Sequence, residues 1–474
     1  MNQESKVTND LRRLIGHKNV SNSIYERISY GQDTLGTDLE VGKLPIVVVK
    51  PLSVQQVSEV LKYANQEKIP VYVQGAATSF RGSPRPKRPG SIILSTMGLN
   101  SFEMFEEDLF FEAGAGFNQY ELEQKLLEHG YLLPMNVGSK YAATIGGAVS
   151  VNTIGHMIDI CLGKIIDYVM GLEAVLPNGE IIDTGTRSIR RPAGIDYTRF
   201  FAGMEGSFGI ITKIRMRLLP DFKKAYVVGF FPELIDIAHA FMRLYKEKLP
   251  PPLYGEFLDR EACELPFKLR NLDKPKGNMA LAIAIGHTQE DADRQAADIV
   301  RVFQAERAVE ARILTSAREQ QDYCEARDNI LNILHQPEEG DRMLRSGGLE
   351  AAAPLSHLAD LVEYIRKDHN YPTLHEATLL MYGHIGTCDI HGLWVAPPSW
   401  PQSKRAQCAR ESIRLESDVN MMWGCCPGEL GQTGLRIPFL RARYGDAAYS
   451  MLLGFKKSID PNDILNPGNL EGVI

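Results

Sequence analysis

From Leu44 onward, short apolar runs alternate with amphipathic stretches. LPIVVVKP reads as a short buried strand, and SVQQVSEVLKYANQEKI as a helix capped by Ser53 with its apolar positions at helical spacing. PVYVQ is the next strand. It runs into a small-residue loop, Gly75-Ala76-Ala77-Thr78-Ser79-Phe80-Arg81-Gly82, and then into a further strand, SIILST. Side chains this small let backbone N–H groups come close to a ligand, although a plain tight turn uses the same residues. A second cluster is denser: Gly138-Ser139, then Ala143-Thr144-Ile145-Gly146-Gly147-Ala148-Val149-Ser150 and Asn152. That density implies backbone lying against a large flat or charged ligand. Beyond it, GLEAVLPNGEIIDTG predicts two strands joined at an Asn178-Gly179 hairpin turn, and GMEGSFGIIT leads into a strand, KIRMRLLP, ending at Pro220.

From about Phe222 the segments lengthen. ELIDIAHAFMRLYKEK and TQEDADRQAADIVRVFQAE read as amphipathic helices around a strand-like MALAIAIG, which predicts a second α+β domain. SKRAQCARESIRLESDVNMM is its last helix. A final helix around DAAYSMLLGFKKSI stops at Asp460-Pro461-Asn462-Asp463, and the Pro and Gly of the following Ile464-Leu465-Asn466-Pro467-Gly468 predict a fixed, non-helical tail.

Composition narrows the function. With 474 residues, 44% hydrophobic and 23% charged, the chain is an ordinary globular protein large enough for more than one domain. A net charge of −7 supplies no basic field for nucleic acid. Seven scattered cysteines contain no C-x2-C pair, so no iron–sulfur cluster is expected in the chain itself. The polar N-terminus and the lack of any long apolar run predict no transmembrane segment and a cytoplasmic location. The basic stretches RGSPRPKR and RSIRR read as solvated loops, and Cys425-Cys426 as ordinary free thiols.

One stretch carries distinct chemistry: GHIGTCDIH places His384 and His391 around a Gly-Thr-Cys-Asp centre. On a helix they would lie roughly 10 Å apart along the axis, too far for one ion. On one strand they would face opposite ways. A two-residue hairpin closing on Thr387 and Cys388 would pair Gly386 with Asp389 and set His384 directly opposite His391, with Cβ atoms about 4.5–5.5 Å apart. One ion could then bridge them, given a third ligand.

Taken together, VVVKPLSVQQVSEVL, VYVQGAATSFRG, the VGS and ATIGGAVSVN clusters, GMEGSFGIIT, GHIGTCDIH and IDPNDILNPG resemble the flavoprotein oxidases and dehydrogenases of the vanillyl-alcohol-oxidase/PCMH superfamily. The nearest branch is that of the D-2-hydroxyacid dehydrogenases, which includes the glycolate oxidase large subunit and D-lactate dehydrogenases. The resemblance implies an α+β fold: a helical extension over 1–43, a two-part PCMH-type FAD-binding domain over 44–221, an α+β cap over 222–424, and a segment over 425–474 returning to complete the FAD site. It implies that Gly75, Ala76, Ala77, Thr78 and Ser79 cradle the FAD pyrophosphate. Gly138, Ser139, Thr144, Gly146, Gly147 and Asn152 would line the rest of the site, with Gly206 and Ile211 near the adenosine part and Asn466 near the tail. Gln74 stands where the family usually has Arg.

The implied activity is oxidation of an alcohol, above all a D-2-hydroxy acid, by hydride transfer to flavin N5. Electrons would pass to a separate acceptor: an electron-transfer flavoprotein, an iron–sulfur subunit, a quinone or oxygen. A homo-oligomer is compatible with this reading. The resemblance also implies a divalent metal (Zn, Mn or Fe) on His384, His391 and Glu429, and matches Arg327 to a substrate-carboxylate arginine. Two departures stand out. Leu430 occupies the position of the family's catalytic histidine, and Ile390 replaces a polar residue of the hairpin. Proton abstraction then falls to Tyr382, to a metal-bound hydroxide or to a histidine from elsewhere. His156, beside the flavin cluster, is the histidine to inspect for covalent FAD. Two alternatives stay open: metal-independent oxidation of a phenolic or benzylic alcohol, and a flavin-binding subunit without substrate chemistry of its own.

Overall fold

The computed structural model describes residues 3–32, 41–79, 82–157, 159–188, 194–328, 330, 344–425 and 437–471. Three large sheets organise them, beside a two-stranded one that pairs Tyr131–Leu132 with Leu219–Pro220. The first has four strands in the order Val20–Ser21, Val47–Val49, Ile92–Ser95, Val71–Gln74, the last three parallel. Their parallel pairing requires crossovers, and the helix Val54–Glu67 is one. Ser53 caps it as the sequence predicts, its hydroxyl accepting from Gln56 N–H at 3.3 Å. Fully buried Val57, Val60 and Leu61 pack it onto Val47, Val49 and Ile92.

The second sheet is antiparallel, in the order Phe102–Phe105, Phe110–Gly114, Ile210–Arg217, Val169–Val175, Ile181–Asp183. Its last hairpin turns at Asn178-Gly179, where Gly179 takes φ +85° and Leu176 N–H bonds Glu180 C=O. The short helix Ile145–Val151 packs on it, capped by the Thr144 hydroxyl.

The third sheet has seven antiparallel strands: Glu310–Leu314, Lys223–Phe231, Asn278–Gly286, Tyr254–Leu258, Thr378–His384, Asp389–Ala396, Leu344–Ala352. Period-2 alternation gives it two buried faces. Val227 and Phe231 pack with Phe241 and Phe303 of the helices Leu234–Lys246 and Gln289–Ala305. Val228 and Phe230 pack with Phe267 and Tyr323 of Arg260–Leu269 and Ala317–Asp328. On this second side the sheet also runs out from under its helices: Tyr254 and Ile283 meet Leu132 and Met157 of the N-terminal half. Glu256, two residues along from Tyr254, points to this same side of the sheet.

The tail is fixed by hydrogen bonds. Asp460 accepts from the N–H groups of Ile464 and Leu465, and Asn466 N–H bonds Val71 C=O at 2.8 Å, so the chain adds to the edge of the first sheet. The Asn466 side chain, 2% exposed, accepts from Val73 N–H at 3.0 Å and donates to Glu205 C=O. Asn466→Ala leaves both backbone groups buried and unpaired, which costs about 1–3 kcal/mol. Thermal unfolding is expected to show a lowered midpoint; an unchanged midpoint would remove Asn466 from this role.

Candidate active site

A cleft runs along the seam between the halves, with about 1590 Å³ of empty space, part of it open to solvent. On the N-terminal side its wall includes Gly75, Ala76, Ala77, Thr78 and Ser79, then Gly138, Ser139, Thr144, Gly146 and Gly147, then Gly206 and Ile211. On the cap side it ends at Arg327, Tyr382, His384 and His391. Sequence-distant loops thus meet on one surface. Two expected members do not line it: Asn152 terminates the helix Ile145–Val151 in a left-handed conformation, and Asn466 is the buried tail anchor.

The small-residue clusters also have a second cause. A Cβ on Gly75 would sit 2.4 Å from Thr144 Oγ1, and one on Gly146 2.5 Å from Ala115 Cβ. Loops and helix there press on each other, so the glycines serve protein packing as well as ligand approach. A wall drawn from three sequence-distant small-residue segments, reaching from Gly75 to the cap residues, suits an extended ligand that backbone can approach along its length. Gln119, also on this wall, keeps a buried side-chain oxygen with no partner among the described residues. Ala77 holds φ +55°, unusual for alanine and located in the loop itself.

The histidine hairpin differs from its expected geometry. It closes on four residues, the turn Ile385–Thr387 plus Cys388 at φ +60°, so His384 pairs with Asp389 and His391 with Tyr382. The imidazoles are then diagonal neighbours on one face, ring centroids 5.3 Å apart. The physical reason is turn chemistry: Thr-Cys lacks the Asn-Gly or Asp-Gly character of two-residue turns. His384, Asp389 and His391 have ligand atoms within 4.8 Å of one another, a two-His, one-carboxylate set. Glu429 and Leu430 lie outside the described residues, and the hairpin itself supplies a carboxylate in Asp389. Tyr382 stacks on His391, centroids 5.2 Å apart at 24°.

Sequence reasoning missed Glu256. It sits fully buried on the strand Tyr254–Leu258, where Oε1 meets His384 Nδ1 at 2.7 Å and Oε2 lies 2.6 Å from an Arg327 Nη. The second contact is close without being an aligned hydrogen bond. Arg327, 3% exposed, lies with its guanidinium carbon 5.5 Å from the Tyr382 ring centroid, and its Nε has no partner among the described residues. Burial opposes charge on Glu256, but Arg327 and His384 outweigh it and hold the carboxyl below its ordinary value. On the other side of the cleft His156 Nδ1 lies 2.8 Å from Asp328 Oδ1. Burial likewise opposes charge on Asp328, and His156 and Arg327 hold its carboxyl low. The one signal for Glu256 was a lone acid inside an otherwise apolar strand, YGEFL.

The same layout of cofactor loops and cap is found in solved proteins. The structure of p-cresol methylhydroxylase with substrate bound superposes with a TM-score of 0.77 at 17% identity, covering 100% of this chain and 98% of that one. Alkyldihydroxyacetonephosphate synthase superposes at 0.73 and 18% identity, covering 98% and 85%. The fold is thus that of the vanillyl-alcohol-oxidase/PCMH flavoproteins. Within that class the chain belongs to the FAD-linked oxidases: residues 45–185 match the FAD binding domain and residues 221–470 the C-terminal domain of FAD linked oxidases. The D-lactate dehydrogenase of Archaeoglobus fulgidus is 28% identical over 427 residues, covering 90% of this chain and 91% of that protein. The glycolate oxidase subunit GlcD of Bacillus subtilis is 25% identical over 468 residues, covering 98% and 96%.

Glu256→Gln is expected to destabilise the fold by about 3–5 kcal/mol, because Arg327 keeps a buried charge with no counter-ion. The pH dependence has a definite sign. With its folded pKa depressed, Glu256 contributes stability that is fully present above the unfolded value, about 4.3, and lost as pH falls through the folded one. Acid unfolding followed by circular dichroism is therefore steeper for the native chain than for Glu256→Gln; parallel curves would contradict the ion-pair account.

Proposed function

We propose that this protein oxidises D-2-hydroxy acids and hands the electrons to a separate acceptor. The observation that carries the reading is the hairpin donor set His384, Asp389 and His391 at the cap end of the cleft, beside the buried Arg327. The relatives named as D-lactate dehydrogenase and glycolate oxidase subunit support it. When bound, FAD supplies the acceptor for hydride, and a divalent ion such as Zn, Mn or Fe supplies Lewis acidity toward the substrate oxygen.

The chain's own residues do the remaining work. Glu256 accepts from His384 Nδ1 and so leaves Nε2 as that ring's ligand atom, the carboxylate–histidine arrangement common behind metal sites. Asp389 and His391 complete the set. Arg327 turns one edge to Glu256 and lines the cleft, where its guanidinium is the cation for the substrate carboxylate. Tyr382, 8% exposed, fills the space between Arg327 and His391 and keeps water from them.

Anaerobic mixing of the flavin-loaded protein with D- and L-2-hydroxy acids and 4-hydroxybenzylic alcohols, with and without a chelator, tests the reading. Bleaching of the flavin by a D-2-hydroxy acid, abolished by chelator, is expected. Bleaching by phenolic alcohols alone, indifferent to chelator, would move the protein to metal-free chemistry. His391→Ala is expected to lose bound metal and at least ~100-fold in rate, since even outer partners of metal ligands are worth about 10–100-fold; full activity in metal-depleted His391→Ala would refute the metal site.

A further inference from the structure

The cleft has a polar group that the reading above does not use. His156 is 7% exposed and stands on the cleft wall, its ring 5.5 Å from that of His384 and edge-on to Tyr254 at 6.2 Å. It comes from the FAD-binding half, whereas Asp328, beside its Nδ1, belongs to a cap helix and is the immediate neighbour of Arg327. The two halves therefore meet at this pair. Gly138 sharpens the contact, since a Cβ there would lie 2.8 Å from the Asp328 carbonyl oxygen.

Position sets the chemistry. Asp328 Oδ1 lies 2.8 Å from Nδ1, close without being an aligned hydrogen bond; with the ring proton on the nitrogen beside that carboxylate, Nε2 is the acceptor. Two adjacent residues of one helix thus present two substrate contacts, a donor in Arg327 and, through Asp328, an acceptor in His156. A 2-hydroxy acid offers the matching pair: a carboxylate and, one carbon away, a hydroxyl that must donate. Its 2-oxo product has the same carboxylate but no hydroxyl hydrogen, and would set a carbonyl oxygen against a lone pair.

We propose that His156 Nε2 accepts the hydrogen bond of the substrate's C2 hydroxyl, and that this contact lets the protein hold the hydroxy acid in preference to the 2-oxo acid it becomes. The inference rests on the hydroxy-acid reading. Asp328 is the positioning residue and His156 the substrate contact.

Calorimetric titration of two unreactive complexes tests it: the flavin-reduced protein with the D-2-hydroxy acid, and the oxidised protein with the corresponding 2-oxo acid. His156→Phe keeps a ring against Tyr254 and His384 but has no acceptor. It is expected to weaken the hydroxy acid about tenfold, one hydrogen bond's worth, and to leave the oxo acid nearly unchanged. His156→Gln, whose amide oxygen can accept, is expected to recover most of the loss. Equal weakening of both ligands, or no change in either, overturns the proposal. If the Phe variant fails to bind flavin, His156→Gln decides alone: a native-like preference supports the contact, and loss of preference overturns it. Failure of the functional reading looks different, because then no D-2-hydroxy acid bleaches the flavin of the unmodified protein, and the proposal falls with it.

Discussion

The buried carboxylate of Glu256 is the constraint on which the site depends. An ionised acid in the middle of an apolar sheet is tolerable only when cations and donors surround it, and here Arg327 and His384 do so. Each partner is thereby fixed. Arg327 cannot swing away without stranding two charges, and the His384 ring is held by Nδ1 so that its other nitrogen faces the cleft. A strand, a hairpin and a helix, remote in sequence, are locked together by one side chain.

That lock places the chemistry at the seam. The cap strands bring Tyr254, Glu256, Tyr382, His384 and His391 to one side of the sheet through simple alternation and antiparallel register. The neighbouring Arg327 and Asp328 then reach opposite ways, one into the cap and one to His156 of the other half.

Much of this was legible in the sequence, and the gaps have physical reasons. Ser53, the Asn178-Gly179 turn and the loop after PVYVQ are local signals, set by capping and turn chemistry, and the elements form where these signals put them. The histidine pair was legible as chemistry but not as register: a hairpin two residues longer moves His384 from opposite His391 to opposite Asp389, and Cys388 in a left-handed conformation is a weak turn signal. Glu256 and the pairing of His156 with Asp328 were not legible at all. Both depend on contacts between residues more than a hundred positions apart, and a single acid in a strand reads equally well as a solvated side chain. Asn466 was found as a residue that matters near the tail, while its work is to hold backbone rather than to line the cleft.

The central claim is that Glu256 orders a divalent-ion site on the hairpin, and anomalous X-ray scattering from crystals of the metal-supplemented, flavin-loaded protein tests it most directly. The account predicts one strong peak among His384, Asp389 and His391, with His384 Nδ1 still on Glu256. A hairpin without a peak, or a peak elsewhere with His384 turned away from Glu256, would contradict it.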